Sequence, residues 1–360
     1  MKTKLICLAF IVSISVAAGA QTGESSAGEL VFTPIVEVKA TSVKNQSETG
    51  TCWSFATTSF IESELLRMGK GEYDLSEMYI IRYNYIDKLN DNYAKQGRGN
   101  TKEGGLSHDW LKIFTERGIA PDEAYTGLNY GSTKHNHGEL NRYLNAVAET
   151  SVELRSQNAP YRQTVESILD AWLGEAPENF TYKGALYTPA SFAQSLEITP
   201  DDYIEITSYT HFPFYSKGVL EIPDNWRMRQ YYNVPVDELM QIMDNTLSAG
   251  YTIGWDGDIS ESGFSDLNAM AVFPSNVTQE ERQAMFENFT TTDDHMMHVT
   301  GIAQDQNGQK YYITKNSWGV DGNKYGGYIY MSEQYVRAKT VFILVNKNSI
   351  PQSIRAKLGV

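Results

Sequence analysis

Apolar residues recur at helical spacing through Trp53, Ala56, Phe60, Ile61, Leu65 and Met68, and Gly69 follows as a C-terminal stop, so the pattern predicts a helix over 53–68. Cys52 then stands at a helix N-terminus. Similar spacing predicts helices over 75–89, 106–117 and 161–173, and Pro235 opens another that runs to about Ser248. After Gly250 the period shortens: 251–255 reads as a strand, and Thr278 with Glu281 forms a capping box for a helix reaching about Phe289. Strand patterns over 295–303 and 310–315 flank the turn pair Asn307-Gly308, and 328–331 and 340–345 follow. The expected class is α+β, with a mainly helical part over 21–233 and a β-rich part over 234–360.

Residues 1–20 follow a different pattern. Lys2 and Lys4 precede an apolar run from Leu5 to Ala17 and the small residues Ala18-Gly19-Ala20, the layout of a secretory signal peptide cleaved near Ala20. Secreted or periplasmic residence is the expectation. No second apolar run reaches membrane-spanning length, so no membrane span is expected. Cleavage removes two lysines and no acid, which moves the formal net charge from −14 to −16. That balance disfavours nucleic acid as a partner. Cleavage also removes Cys7 and leaves Cys52 alone, so no internal disulfide forms and this thiol is either inert in a core or chemically used.

The segment Asn45-Gln-Ser-Glu-Thr-Gly-Thr-Cys-Trp-Ser-Phe-Ala56 favours use. A helix head stabilises a thiolate, and Gln46 with the Cys52 backbone N–H supplies two donors to an oxygen that becomes negative. The segment resembles the nucleophile region of papain-like cysteine peptidases, in which Gln stands six residues before the reactive Cys and Trp follows it. That resemblance implies a two-lobed fold, a helical N-terminal lobe against a β-barrel-like C-terminal lobe, with the cleft between them. It implies a base at the start of a downstream strand, six residues before a glycine, and His295 with Gly301 meets that spacing. His298 is the competing histidine; strand alternation points the two to opposite faces, so they are not expected to chelate a metal together. Asn316-Ser-Trp-Gly319 resembles the segment whose asparagine orients that histidine, with Trp318 shielding the hydrogen bond. Gly104-Gly105 resembles the glycine pair that lets substrate backbone approach, although a plain turn before the next helix reads equally simply.

The interval from Cys52 to His295 is 243 residues, against about 130–150 in the papain branch. An insertion over about 120–233 accounts for the excess, with 135–230 its least legible part. Residues 116–127, 232–239 and 345–351 resemble the bleomycin hydrolase and aminopeptidase C branch. This resemblance implies a hydrolase acting on peptide substrates through a thioester acyl-enzyme, with neither metal nor organic cofactor. Only thirty-one residues separate the proposed cleavage point from Cys52, too few for the long papain-type propeptide. The nine residues beyond Pro351 form a short version of the C-terminal arm that enters the cleft in this branch, so a more open cleft is expected, and aminopeptidase against endopeptidase action stays open, as does the oligomeric state. Sequons at Asn45, Asn179, Asn276 and Asn288 include one beside Gln46, which favours a bacterial host that does not glycosylate it. Two other readings use the same residues: a noncatalytic peptide-binding relative, and an acyl or amine transferase.

Overall fold

A computed structural model describes residues 30–129 and 131–360; the signal-peptide reading falls on residues outside this range. The first helices are α1 (Cys52–Arg67), α2 (Glu77–Ala94), α3 (Ser107–Arg117), α4 (Gly138–Glu153), α5 (Ala159–Leu173) and α6 (Pro189–Leu196). Four more follow later: α7 (Val236–Ser248), α8 (Gln279–Glu287), α9 (Glu333–Lys339) and α10 (Gln352–Leu358). The strands are β1 (Phe32–Glu37), the small hairpin β2 (Phe180–Tyr182) and β3 (Ala185–Tyr187), β4 (Tyr203–Thr207), β5 (Lys217–Val219), β6 (Gln230–Asn233) and β7 (Ile253–Gly257). The chain continues through β8 (Phe264–Ser265), β9 (Met270–Ala271), β10 (His295–Asp305), β11 (Lys310–Lys315), β12 (Tyr328–Ser332) and β13 (Thr340–Asn346).

One large sheet runs in the order β5-β6-β4-β13-β7-β10-β11-β12-β9-β8, with β1 added antiparallel on β10. Its central strands are buried on both faces and therefore read as continuous apolar runs rather than alternating ones. Alternation still sorts their side chains between two cores. Met296 of β10 and Phe342 and Leu344 of β13 join the core around α1 to α6, whereas Met297 and Val299 of β10 and Ile343 and Val345 of β13 join the core under α7. The second core is completed by Leu239, Met243 and Leu247, spaced by four along α7. The sheet is thus the wall against which both cores pack.

α1 is buried on nearly every side, including its polar residues. Most of its buried polar side chains find partners outside the helix, Ser63 Oγ being the exception: Ser54 Oγ donates to the Glu77 carbonyl at 3.1 Å, and Thr58 Oγ1 accepts from Trp110 Nε1 at 2.9 Å. Ser59 Oγ meets His298 Nδ1 at 2.8 Å, Glu62 accepts from Leu75 N at 2.8 Å, and Glu64 accepts from Asn346 Nδ2 at 2.8 Å. These bonds fix the rotation and depth of α1 against β10, and with them the position of Cys52.

The capping box at Thr278 and Glu281 is present as expected. β1, α9 and α10 had no counterpart in the sequence expectation, and two larger regions depart from it. β4, β5 and β6 precede Val234 yet extend the large sheet, so the sheet draws in residues that the pattern grouped with the helices. α4 and α6 had no predicted counterpart, because α4 buries only a narrow stripe of Leu140, Leu144 and Ala148 and α6 is short. Arg282 of α8 is buried and donates to the carbonyls of Ser208 at 2.9 Å, Arg337 at 3.0 Å and Thr340. Arg282→Ala leaves the Arg337 and Thr340 carbonyls without this donor, while Ser208 keeps Gln279 Nε2 at 3.2 Å, and should lower unfolding free energy by about 3 kcal/mol, read by urea denaturation; Arg282→Lys should recover only part, since one ammonium cannot span three peptides.

Candidate active site

Cys52 is the first residue of α1, and no side chain caps the helix at Thr51; Ser54 N bonds back to the Thr51 carbonyl at 3.0 Å, which leaves the N–H groups of Cys52 and Trp53 at the helix head. The preceding loop is pinned from outside the helix. Gly50 N donates to Glu103 Oε2 at 2.7 Å and Trp53 Nε1 donates to the Glu103 carbonyl at 3.1 Å. From the sheet side, the Met296 backbone N–H faces the Cys52 sulfur and favours its charged form. Cys52 is partly exposed, but protein surrounds it closely enough for desolvation to govern its titration. Burial pushes its thiol up to about 12, the Met296 donor pulls it down, and the carboxylates of Asp256, Asp293 and Asp224 add to the rise. The helix head, worth about 1 kcal/mol, is outweighed, and the thiol is neutral while the cleft is empty.

His295 opens β10 in an equally enclosed place. Its Nε2 lies 2.8 Å from Asn316 Oδ1, and the same Oδ1 accepts from Ser317 N at 2.8 Å. The amide orientation is fixed further by Asn316 Nδ2, which donates to Asp266 Oδ1 at 3.3 Å. Because that oxygen can only accept, Nε2 must carry the hydrogen, and Nδ1 is the ring nitrogen left to take a proton. Trp318 covers the imidazole with ring centroids 4.8 Å apart. Burial pulls His295 down to about 4, opposed by the Asn316 bond and by Asp266.

Gln46 is buried with its side chain held at both ends: Oε1 accepts from Ser317 Oγ at 2.6 Å and Nε2 donates one hydrogen to the Thr49 carbonyl at 2.7 Å. The second Nε2 hydrogen remains for the cleft. Ser317 therefore touches both the asparagine that orients His295 and the amide beside Cys52. Gly319 completes this segment with φ +83°, and a side chain there would strike Asn45.

Gln46, Cys52, Trp53, Gly104, Gly105, His295 and Trp318 all line one cleft of about 540 Å³, and Asn316 joins it through His295. The reason for the glycine pair is more specific than backbone approach. A Cβ on Gly104 would collide with the Asp224 carboxylate and one on Gly105 with the Trp53 ring. His298 is elsewhere: it is fully buried against Ser59 and Phe60 of α1, facing away from His295 as strand alternation requires. A larger groove of about 970 Å³, lined by residues of α2, α3 and β4 to β6, holds no cysteine. The carboxylates of the cleft, Glu103, Asp224, Asp256, Asp293 and Asp294, were not foreseen. One signal was available: Asp256 interrupts the apolar run Ile253-Gly-Trp-Asp-Gly257, an expensive place for an acid.

Residues 99–359 match the sequence model of the Peptidase C1-like family. The chain belongs to that family of papain-like cysteine peptidases. Its relatives include aminopeptidase C of Listeria monocytogenes, 23% identical over 88% of this chain and 83% of the relative, and aminopeptidase C of Lactococcus lactis, 22% identical over 86% and 81%. Cysteine proteinase 1, mitochondrial, of Saccharomyces cerevisiae is 22% identical over 91% and 79%. The crystal structure of PepW from Lactobacillus rhamnosis superposes with a TM-score of 0.72 over 91% of this chain and 84% of that one, at 18% identity. The fold is therefore the papain-like two-lobed α+β fold of the bleomycin hydrolase and aminopeptidase C branch. In this papain-like cleft the His295 ring, followed by NMR in the Cys52→Ala chain, should titrate near pH 4. Asn316→Ala should move the midpoint lower still, because the lost bond favours the protonated ring; a midpoint above 6 would contradict the burial.

Proposed function

We propose that this peptidase cleaves peptide bonds through Cys52 as nucleophile, His295 as general base and then acid, and Asn316 as the group that orients the imidazole. The observation that carries this reading is the Asn316 bond to His295 Nε2, which turns Nδ1 toward a cleft that also holds the Cys52 sulfur. With both groups neutral at rest, the Cys52 proton passes to Nδ1 as the sulfur attacks the carbonyl. The helix head and the Met296 N–H support the thiolate character that develops on sulfur. The Cys52 backbone N–H and the free Gln46 hydrogen receive the oxyanion. The protonated imidazole then returns its proton to the leaving amine, and water hydrolyses the thioester with the same ring as base.

The open cleft supports action on peptides without a strict terminal requirement. α10 packs Ile354 and Leu358 into the core under α7, and none of 351–360 lines the cleft. We further propose that the protein is exported and acts in a periplasmic or extracellular setting, which N-terminal sequencing of exported protein starting at Gln21 would test.

Cys52→Ala should abolish release of new amino termini from a mixed peptide library, and Gln46→Ala should lower kcat about 10²- to 10³-fold. His295→Ala should match Cys52→Ala. His298→Ala should instead lower the unfolding midpoint while the folded fraction keeps cleaving. Equal catalytic loss at both histidines would overturn the assignment, and incorporation of an added amine in place of hydrolysis would mark a transferase. Activity should fall as pH drops through about 4, because a protonated His295 cannot accept the thiol proton.

A further inference from the structure

The fold brings three carboxylates to the cleft from separate segments: Asp224 from the loop between β5 and β6, Asp256 on β7, and Asp293 just before β10. Asp256 is 1% exposed, and neither of its carboxylate oxygens meets a hydrogen-bond donor. Asp293 Oδ2 is buried in the same way, although the Asp293 carboxylate also accepts from the Asp224 backbone N–H. Asp224 is partly answered by Asn100 Nδ2 at 3.0 Å and, at longer range, by Lys88. The Lys88 ammonium is itself committed to the carbonyls of Lys102 and Gly104. Lys102 is the one basic side chain among the described residues lining the cleft.

A buried carboxylate without a donor is costly and persists where something else pays for it. Asp256 braces no neighbouring N–H, and the Asp293 carboxyl beside it can answer it only by sharing a proton. We infer that Asp256, Asp293 and Asp224 form a pocket that binds a cationic group of the peptide substrate, an ammonium or guanidinium, beside the scissile bond. The inference rests on the peptidase reading for the word substrate. Among the described residues no acidic group converges closely enough to hold a metal ion, which leaves an organic cation with its larger radius and several donors. The position follows from strand register: Asp256 pairs with Met296, whose N–H meets the Cys52 sulfur, and Asp293 lies two residues before His295.

Titration agrees with this geometry. Burial and its carboxyl neighbours push Asp256 well above the usual carboxylate range, and Asp293 up to about 7, so a proton takes the cation's place in the empty cleft. When ionised, the same three carboxylates hold the Cys52 thiol up.

The cation has two sources, an α-ammonium at a free N-terminus or a Lys or Arg side chain, and calorimetry on the Cys52→Ala chain separates them without turnover. Three probes suffice: a free-amine Ala-Phe amide, its N-acetylated form, and N-acetylated Arg-Phe amide. One cationic probe or both should bind at least about tenfold tighter than the neutral one, and Asp256→Asn or Asp293→Asn in the same background should collapse that ratio toward one. Tight binding of the free amine assigns the terminus, and tight binding of acetyl-Arg the side chain. Equal or unmeasurable binding of all three, or a ratio untouched by both substitutions, overturns the pocket. If cation-selective binding accompanies an intact chain that hydrolyses none of the probes or the library, the pocket stands and the peptidase reading falls; hydrolysis without cation preference does the reverse.

Discussion

The packing of α1 against β10 is the constraint on which the site depends. A nearly fully buried helix carrying serine, threonine and glutamate needs partners for most of its polar groups, and those of α1 lie on α2, α3, β10 and β13. The helix is consequently held at one rotation and one depth. Its head then delivers Cys52 to the Met296 N–H, one residue beyond His295 on the neighbouring strand. His298 belongs to this clamp: its bond to Ser59, with Lys315 Nζ donating to the same hydroxyl at 2.8 Å, ties β10 and β11 to the middle of the helix.

Holding the reactive groups this way has an electrostatic consequence. Enclosure disfavours both the thiolate and the imidazolium, and it wins over the helix head and the single donors that favour them. The proposed reaction would therefore start from a neutral pair whose charges appear only as it proceeds. Donors already aimed at the sulfur and the oxyanion position then act where they lower the barrier most, because they need no reorganisation.

How legible each part was in the sequence follows from its spread along the chain. Cys52, Gln46, His295 and Asn316 sit in short segments whose local geometry is set by a helix start, a strand start and a glycine turn, so neighbouring residues announce them. The later strands were equally readable from periodicity and the Asn307-Gly308 turn. β5 and β6 were not, because strands of three and four residues carry too few positions for alternation to register, and β4 went unread with them inside the insertion. The acidic pocket was illegible for a different reason. Asp224, Asp256 and Asp293 lie far apart in sequence and meet only through sheet order, and an overall acidic composition masked them as ordinary surface charge.

The segment Asn316-Ser-Trp-Gly319 shows how tightly the two halves of the chemistry are joined. Asn316 fixes the tautomer of His295, Trp318 keeps water from that bond, and Gly319 adopts a left-handed conformation where a side chain would strike Asn45. Ser317 is the remaining link. Its N–H supports the Asn316 oxygen, its hydroxyl holds the Gln46 amide, and its carbonyl accepts from Gln46 N at 2.8 Å. In the proposed mechanism, proton transfer at the imidazole and charge stabilisation at the amide thus share one brace, so a shift in the β-rich lobe would move both groups together relative to the sulfur.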